Sequence, residues 1–218
     1  LRANISRKVT DWLEVGTNQS FTSSTTDFAN TLSFNTGVVR SALLFPPTYG
    51  PNMDTTTADE LNWLAANPGA YVRSAIDQLN GSNYFSSSFV QIKFLKNFTF
   101  RQNIGLGYNV QDRKSYYGRE TQEGKTPING KASVGHNTWK SLTAESILTY
   151  DNTFAKIHHV NVMGAFTLES SNWANDQQVA TNFPDDLTGA NDMSRALDKA
   201  TLSGDKGQQR LASFLGRV

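Results

Sequence analysis

The sequence contains no cysteine and has almost no net charge, and each absence removes a class of proteins. Without cysteine, the 218 residues can form neither a disulfide framework nor a thiolate site. The 20 Lys and Arg residues against 19 Asp and Glu leave a formal net charge of +1, so no broad basic field favours nucleic acid as a partner. No run approaches the ~20 apolar residues of a transmembrane helix. The mean hydropathy of −0.46 is still compatible with membrane β-strands, whose apolar residues alternate with polar ones.

The dominant pattern in the sequence is alternation of apolar and polar residues over long stretches. In NFTFRQNIGLGYNV (Asn97–Val110), nearly every second residue from Phe98 is apolar, and the residues between them include Arg101 and Asn103. Similar alternation is present in residues 1–9, 13–22, 89–95, 142–151, 160–169 and 209–218. A period of two indicates β-strands with two unlike faces. The sequence therefore predicts an all-β, antiparallel protein of about seven strands.

The predicted connections alternate strictly between short and long. The short ones are KVTDWL, FLKNF and DNTFAKI, which contain turn-forming residues. The long ones cover about residues 25–83, 114–128 and 174–206. In an up-and-down sheet all short turns lie at one end and all long loops at the other, which is typical of transmembrane β-barrels. Within the first long loop, DTTTADELNWLAANPG and AYVRSAIDQLNG predict two short helices.

A soluble sandwich or barrel also has alternating strands, but three features favour a membrane barrel. The stretch from Phe98 to Val110 is longer than the ~9–11 residues that cross a bilayer. Aromatic residues such as Trp12 and Tyr150 lie beside the short turns, where a membrane interface would place them. Third, the non-apolar face carries full charges at Lys93, Arg101 and Glu145, which suit a wet lumen better than a dry core, and these are the predicted lumen-facing residues. The predicted lipid-facing residues are Val90, Ile92, Phe94, Phe100, Ile104, Leu106 and Val162.

Six strings spread through the chain also resemble segments of one protein family. They are TDWLEVG (10–16), NPGAYV (67–72), IKFLKNFTFRQNIG (92–105), ESILTYDNTFAKIHHVNVMGAF (145–166), FPDDLTG (183–189) and SFLGRV (213–218). In order and spacing they are similar to the SusC-like, RagA-type branch of TonB-dependent outer-membrane transporters. The resemblance implies a bacterial outer-membrane barrel of about 22 strands with an N-terminal plug inside it. Residues 1–218 would be one part of that barrel domain, and the plug and the remaining strands would lie outside this sequence. We interpret both ends of the sequence as cut from a longer chain.

The resemblance also implies a function and partners for the parent protein. That function is import of oligosaccharides, or of peptides in some members, driven through TonB and shared with a SusD-like surface lipoprotein. The other expected contact is outer-membrane lipid. We expect no enzyme activity, no catalytic residue, no cofactor and no metal site. Two alternatives remain: a soluble β-sandwich that binds glycans, and a structural barrel that transports nothing.

The loops contain the residues that we expect to touch a substrate or a lipoprotein lid, namely Tyr116, Tyr117 and Trp173. Their flat rings can stack on sugars, while Asn and Asp supply hydrogen bonds. His158 and His159 are adjacent in a strand and point to opposite faces, so they cannot share one metal ion. The spacing of the loop aspartates does not follow a calcium loop, and we interpret Asp185 and Asp186 as residues of Asx turns.

Overall fold

Each strand of the protein pairs with the next strand in the sequence. The computed structural model describes residues 1–29, 38–48, 50, 67–125, 127–198 and 200–218. Within these ranges the strands form one antiparallel sheet in the order β1 to β7. They are β1 (Arg2–Lys8), β2 (Leu13–Asp27), β3 (Ala75–Phe94), β4 (Phe98–Tyr117), β5 (Lys131–Phe154), β6 (His158–Thr181) and β7 (Thr201–Arg217). The predicted all-β, seven-stranded antiparallel architecture is therefore confirmed.

The sheet has two unlike faces, and no second sheet covers either of them in the described ranges. The side that carries Phe98, Phe100 and Ile104 is called the apolar face, and the side that carries Thr99, Arg101 and Asn103 the polar face. Large side chains on the apolar face are left in the open, with Ile104 45% and Leu148 43% exposed. A soluble sandwich requires two facing sheets, so this arrangement does not match that alternative.

The strands are longer than predicted, and the loops are correspondingly shorter. β5 and β6 have 24 residues each, or about 80 Å at ~3.3 Å per residue, against a bilayer core of about 30 Å. The connections cover residues 28–74, 118–130 and 182–200, rather than 25–83, 114–128 and 174–206. The alternation of apolar and polar residues is lost in the parts of these strands nearer the long loops, because polar residues occupy most positions on both faces there. The backbone pairing between strands continues all the same.

In the described part of the first long connection, the helices are short. They are α1 (Val38–Leu44), which the sequence did not predict, and α2 (Pro68–Ser74). Asn67 caps α2 by accepting a hydrogen bond from the Gly69 amide at 2.9 Å. The helix predicted over residues 70–81 is only partly correct, because residues from Ala75 onward pair with β4. The helix predicted from DTTTADELNWLAANPG lies almost entirely outside the described residues.

None of the helices in the described ranges has the length and apolar content that crossing a membrane requires.

Two of the three short hairpin turns share one backbone geometry. Leu95 and Lys96 between β3 and β4 have φ of 49° and 62°, and Ala155 and Lys156 between β5 and β6 have φ of 50° and 62°. Two consecutive left-handed residues give the twist that a tight hairpin needs. Neither turn has a glycine at these positions, so residues that carry a Cβ adopt the strained left-handed conformation. At this end of the sheet, the Phe98 ring lies between those of Phe94 and Tyr150, with centroids 5.6 and 4.9 Å away.

We predict that Lys156→Gly stabilises the protein. A left-handed conformation costs a residue with a Cβ roughly 1–2 kcal/mol, and the extra flexibility of glycine in the unfolded chain cancels part of the gain. The expected net effect is about 0.5–1 kcal/mol in the free energy of urea unfolding. Ile157→Gly is the matched control, because Ile157 is not among the residues with positive φ and its replacement should destabilise the turn. A stability loss in both variants would contradict this account of the turn.

Candidate functional site

The strand register sorts the predicted site residues onto the two faces. Val90, Ile92, Phe94, Phe100, Ile104, Leu106 and Val162 all lie on the apolar face. Lys93, Arg101 and Glu145 all lie on the polar face. Their predicted contacts with lipid and with a lumen stay predictions, but the division into two sets follows from the pairing.

A row of hydrogen bonds crosses the polar face from β3 to β5. The Arg101 guanidinium donates to Asn103 Oδ1 at 2.9 Å, and Asn103 Nδ2 donates to Glu145 Oε2 at 2.8 Å. Arg101 also lies over the Phe89 ring, 3.9 Å from its centroid. Arg101 and Glu145, two of the predicted lumen-facing residues, are therefore joined through the Asn103 amide. The hydrogen bonds hold both side chains in fixed positions on the exposed polar face.

Two tryptophans oppose each other on the polar face, nearer the loop end of the sheet. Trp139 of β5 pairs with Trp173 of β6. Each indole lies over a glycine of its other neighbouring strand: a Cβ on Gly207 would come within 2.1 Å of the Trp173 ring, and one on Gly107 within 3.3 Å of the Trp139 ring. The glycines let both indoles lie close to the sheet. The result is a broad aromatic surface across β4 to β7.

The sequence analysis named Trp173 but missed its partner. The turn DNTFAKI could have revealed this pairing. Phe154 pairs with His158 across the turn, and fifteen residues farther along each strand Trp139 lies opposite Trp173. The residues next to this pair on the polar face are mostly uncharged amides. They include Asn109, Asn137 and Asn175.

Tyr116 is buried at the loop end of the sheet, where it forms the centre of a small core. It is 4% exposed and meets the Phe183 ring edge-on, with centroids 5.6 Å apart. Its hydroxyl donates to Asp186 Oδ1 at 2.7 Å, and the Arg119 amide donates to Asp186 Oδ2 at 3.1 Å. Burial, reinforced by the bond to Asp186, raises the pKa of Tyr116. In this arrangement the ring holds loops together and offers almost no surface to a substrate or lid.

The carboxylates of FPDDLTG stabilise the same loop. Asp185 accepts from the Leu187 amide at 3.0 Å in an Asx turn, and its other oxygen pairs with Arg195 at 2.5 Å. The amide hydrogen bond, together with Arg195, lowers the pKa of Asp185. Asp186 instead binds Tyr116 and Arg119, so only Asp185 follows the predicted Asx geometry.

Tyr117 and the first loop enclose a cavity of about 210 Å³. Its walls include Phe28, Tyr71, Asp77 and Tyr117. Burial, together with the nearby Asp77 charge, raises the pKa of Tyr117. Tyr71 is 4% exposed and donates to Glu123 Oε2 at 2.5 Å, so it packs the loop. Of the three predicted contact residues, Trp173 lies on an open face and Tyr117 lines this cavity.

Two of the three histidines pair with single carboxylates. His159 contacts Asp151 at 3.0 Å and His136 contacts Asp112 at 2.5 Å. In the parts of the chain that the structure describes, no three His, Asp or Glu residues gather in a way that could hold a metal ion.

We predict that Gly189→Ala loosens the loop over residues 182–200. Gly189 has φ of +51°, and a Cβ there would lie 2.8 Å from the Tyr116 ring. Strain and overpacking together should cost roughly 2–4 kcal/mol locally. Hydrogen exchange should therefore accelerate at the Phe183 amide, which donates to the Asn129 carbonyl at 2.9 Å. Gly164→Ala, with open space at its Cβ, is the control, and equal exchange in both variants would refute the role given to Gly189.

Comparison with known proteins gives a likeness at the level of structure. No family model matches the sequence. No curated protein matches it either. Among solved structures, the chain is similar to a chain of the RagAB peptide transporter, with a TM-score of 0.72 and 16% identity over 99% of this chain and 25% of that one. It is also similar to the RagAB peptide importer in the open-open state (TM-score 0.69, 14% identity, 99% and 24%) and in the closed-closed state (0.68, 16%, 99% and 25%). The chain thus spans about a quarter of those chains and shares their fold over that quarter.

Proposed function

We propose that this chain is part of a TonB-dependent outer-membrane importer of nutrient oligomers. The observation that carries the proposal is the single antiparallel sheet with an uncovered apolar face, together with its likeness to part of the RagAB chains. In this proposal the apolar face contacts lipid, and the polar face lines a lumen. The unpaired edges of β1 and β7 continue into further strands of a barrel.

The polar face is suited to a body packed inside such a barrel. Apolar side chains interrupt it at Phe89, Ile147, Leu211 and Leu215. Leu211 is 51% and Leu215 63% exposed. A plug within the lumen would cover these side chains, and the Arg101–Asn103–Glu145 row would supply its polar contacts.

Substrate recognition in the proposal begins near the loop end of the polar face. Trp139 and Trp173 offer stacking surfaces, and the asparagines beside them offer donors and acceptors. Such a surface suits an uncharged stretch of an oligomer, and peptides and oligosaccharides both fit it. We favour peptides, because the RagAB proteins that share the fold are a peptide transporter and importer. The name RagAB joins two components, which supports a partner protein. We propose that this partner is a surface lipoprotein of the SusD type.

The proposal predicts import that requires both the full-length protein and TonB. Cells that lack either one should lose growth on a peptide mixture supplied as the limiting nutrient. Restoring the full-length gene should restore growth. Growth on peptides that is unchanged without the protein, combined with loss of growth on oligosaccharides, would overturn the preference for peptides. Unchanged growth on both nutrients would overturn the import function.

Within that assay, Trp173→Ala should raise the half-saturating substrate concentration about fivefold, since aromatic stacking contributes ~0.5–1.5 kcal/mol. The maximal uptake rate should change little. Trp12→Ala is the matched control, because Trp12 is 52% exposed but lies in the β1–β2 turn at the opposite end of the sheet. Equal effects of the two substitutions would contradict a role for Trp173 in recognition.

A further inference from the structure

One groove runs along the apolar face over β6, between the side chains of β5 and β7. Its upper part, nearer the loops, has a volume of about 590 Å³ and is lined by Thr138, Lys140, Asn172, Ala174, Lys206 and Gln208. Its lower part has a volume of about 400 Å³ and is lined by Leu142, Ala144, Leu168, Ser170, Arg210 and Ala212. The small side chains of Ala174 and Ser170 on β6 make the floor. We call the two parts together the β5–β7 groove.

Two cations line the upper part of the groove, and a third lies where the two parts meet. Lys140, Lys206 and Arg210 all lie on the apolar face, in neighbouring rows of the sheet. In the described ranges, none of the three has a carboxylate within 4 Å. The Lys140 ammonium lies 5.5 Å from the centroid of the Tyr108 ring, and the Gln208 amide oxygen, when oriented toward Arg210, accepts from its guanidinium at 3.1 and 3.2 Å.

No negative charge balances these cations on the same part of the surface. From Val162 to Ala174 on β6, and at the paired positions of β5 and β7, the apolar face carries no Asp or Glu. The next carboxylate along β6 on this face is Asp176, which lies beyond the upper part of the groove. The groove therefore presents a positive end and an apolar end.

This division matches the chemistry of a phosphorylated lipid. Lys and Arg bind phosphate oxygens through charge-assisted hydrogen bonds, and Arg can do so with two parallel bonds. Leu142 (46% exposed) lies across β6 from Arg210, and Leu168 (47% exposed) lies one row below it. The two leucines offer an apolar wall of the kind that an acyl chain covers. Lys140 and Lys206 lie two strand spacings apart and two residues apart along the strands, about 12 Å in all, so both flexible side chains can reach one headgroup. An inorganic anion would use only the upper part of the groove.

We propose that the β5–β7 groove binds a phosphorylated lipid of the outer leaflet, with the phosphate at Lys140, Lys206 and Arg210 and an acyl chain along Leu142, Ala144 and Leu168. The inference rests on the proposed function, because it requires the apolar face to contact lipid. It adds a specific lipid site that the import proposal does not need.

The test measures the affinity of lipid A for the full-length protein in a nonionic detergent, by native mass spectrometry. The groove variant combines Lys140→Gln, Lys206→Gln and Arg210→Gln. The control variant combines Lys96→Gln, Lys114→Gln and Lys156→Gln, which removes the same charge from exposed lysines away from the groove. We expect the groove variant to bind lipid A about a hundredfold more weakly than the unmodified protein, and the control variant to stay within about twofold of it.

A second variant tests the apolar half without changing any charge. Ala212→Phe fills the lower part of the groove and should weaken lipid A binding about tenfold. Circular dichroism and the melting temperature of each variant establish that it is folded. Phosphatidylcholine has a phosphate but no net charge, because its choline cation neutralises it, and should not bind in place of lipid A. Millimolar inorganic phosphate should not displace lipid A.

Three results would overturn the inference: a folded groove variant with the affinity of the unmodified protein, equal binding of phosphatidylcholine, or displacement of lipid A by inorganic phosphate. The last result would identify a free-phosphate site instead. Import measurements on the same variants separate this inference from the proposed function. Import with no lipid selectivity at the groove overturns only the lipid site, and lipid binding as expected without import overturns only the import proposal.

Discussion

The constraint on which the rest of the structure depends is the uncovered apolar face of a single sheet. Backbone hydrogen bonds join seven strands, but in the described ranges no second layer covers Ile104, Leu148 or their neighbours. At about 25 cal/mol per Å² of apolar area, exposing such a face to water is unfavourable, so the face needs a cover that the described residues do not supply. In the proposed function, a membrane supplies that cover. The polar face, which carries Arg101 and Glu145, then lies on the wet side of the sheet.

The two ends of the sheet are stabilised by different means. At the short-turn end, two hairpins with consecutive left-handed residues close the strands, and a row of aromatic rings lies beside them. At the loop end, one tyrosine organises the packing: Tyr116 contacts Phe183, binds Asp186 and fits beneath Gly189. The loops are thus held by a small core with polar anchors. The aromatic surface of Trp139 and Trp173 lies on the sheet itself, between this core and the short turns.

Much of this arrangement could be predicted from the sequence, because a period of two is a strong signal where one face is apolar. The ten residues predicted to face lipid or a lumen, among them Val162 and Glu145, divide between the two faces of the sheet as alternation requires. Their contacts with lipid and with a lumen stay predictions. The ends of the strands could not be found in this way. Around Gln78 or Gln177 both faces are polar, so pairing continues without a pattern in the sequence. The buried position of Tyr116 was equally hidden, because it depends on Phe183 and Gly189, which lie far away in the chain. The β5–β7 groove could be predicted only with the register of three strands, because its cations come from β5 and β7 and both of these strands pair with β6.

The central claim is that the two faces of β4 meet lipid and water respectively. A spin label at each position from Phe98 to Val110 of the full-length protein in lipid vesicles tests it most directly, and these 218 residues contain no cysteine that would compete for the label. Collisions with oxygen, which partitions into lipid, and with a water-soluble nickel chelate are measured at every position. The account predicts opposite alternation of the two quenchers with a period of two, with oxygen dominant at Phe100, Ile104 and Leu106. Equal access of both quenchers to the two faces would contradict the account.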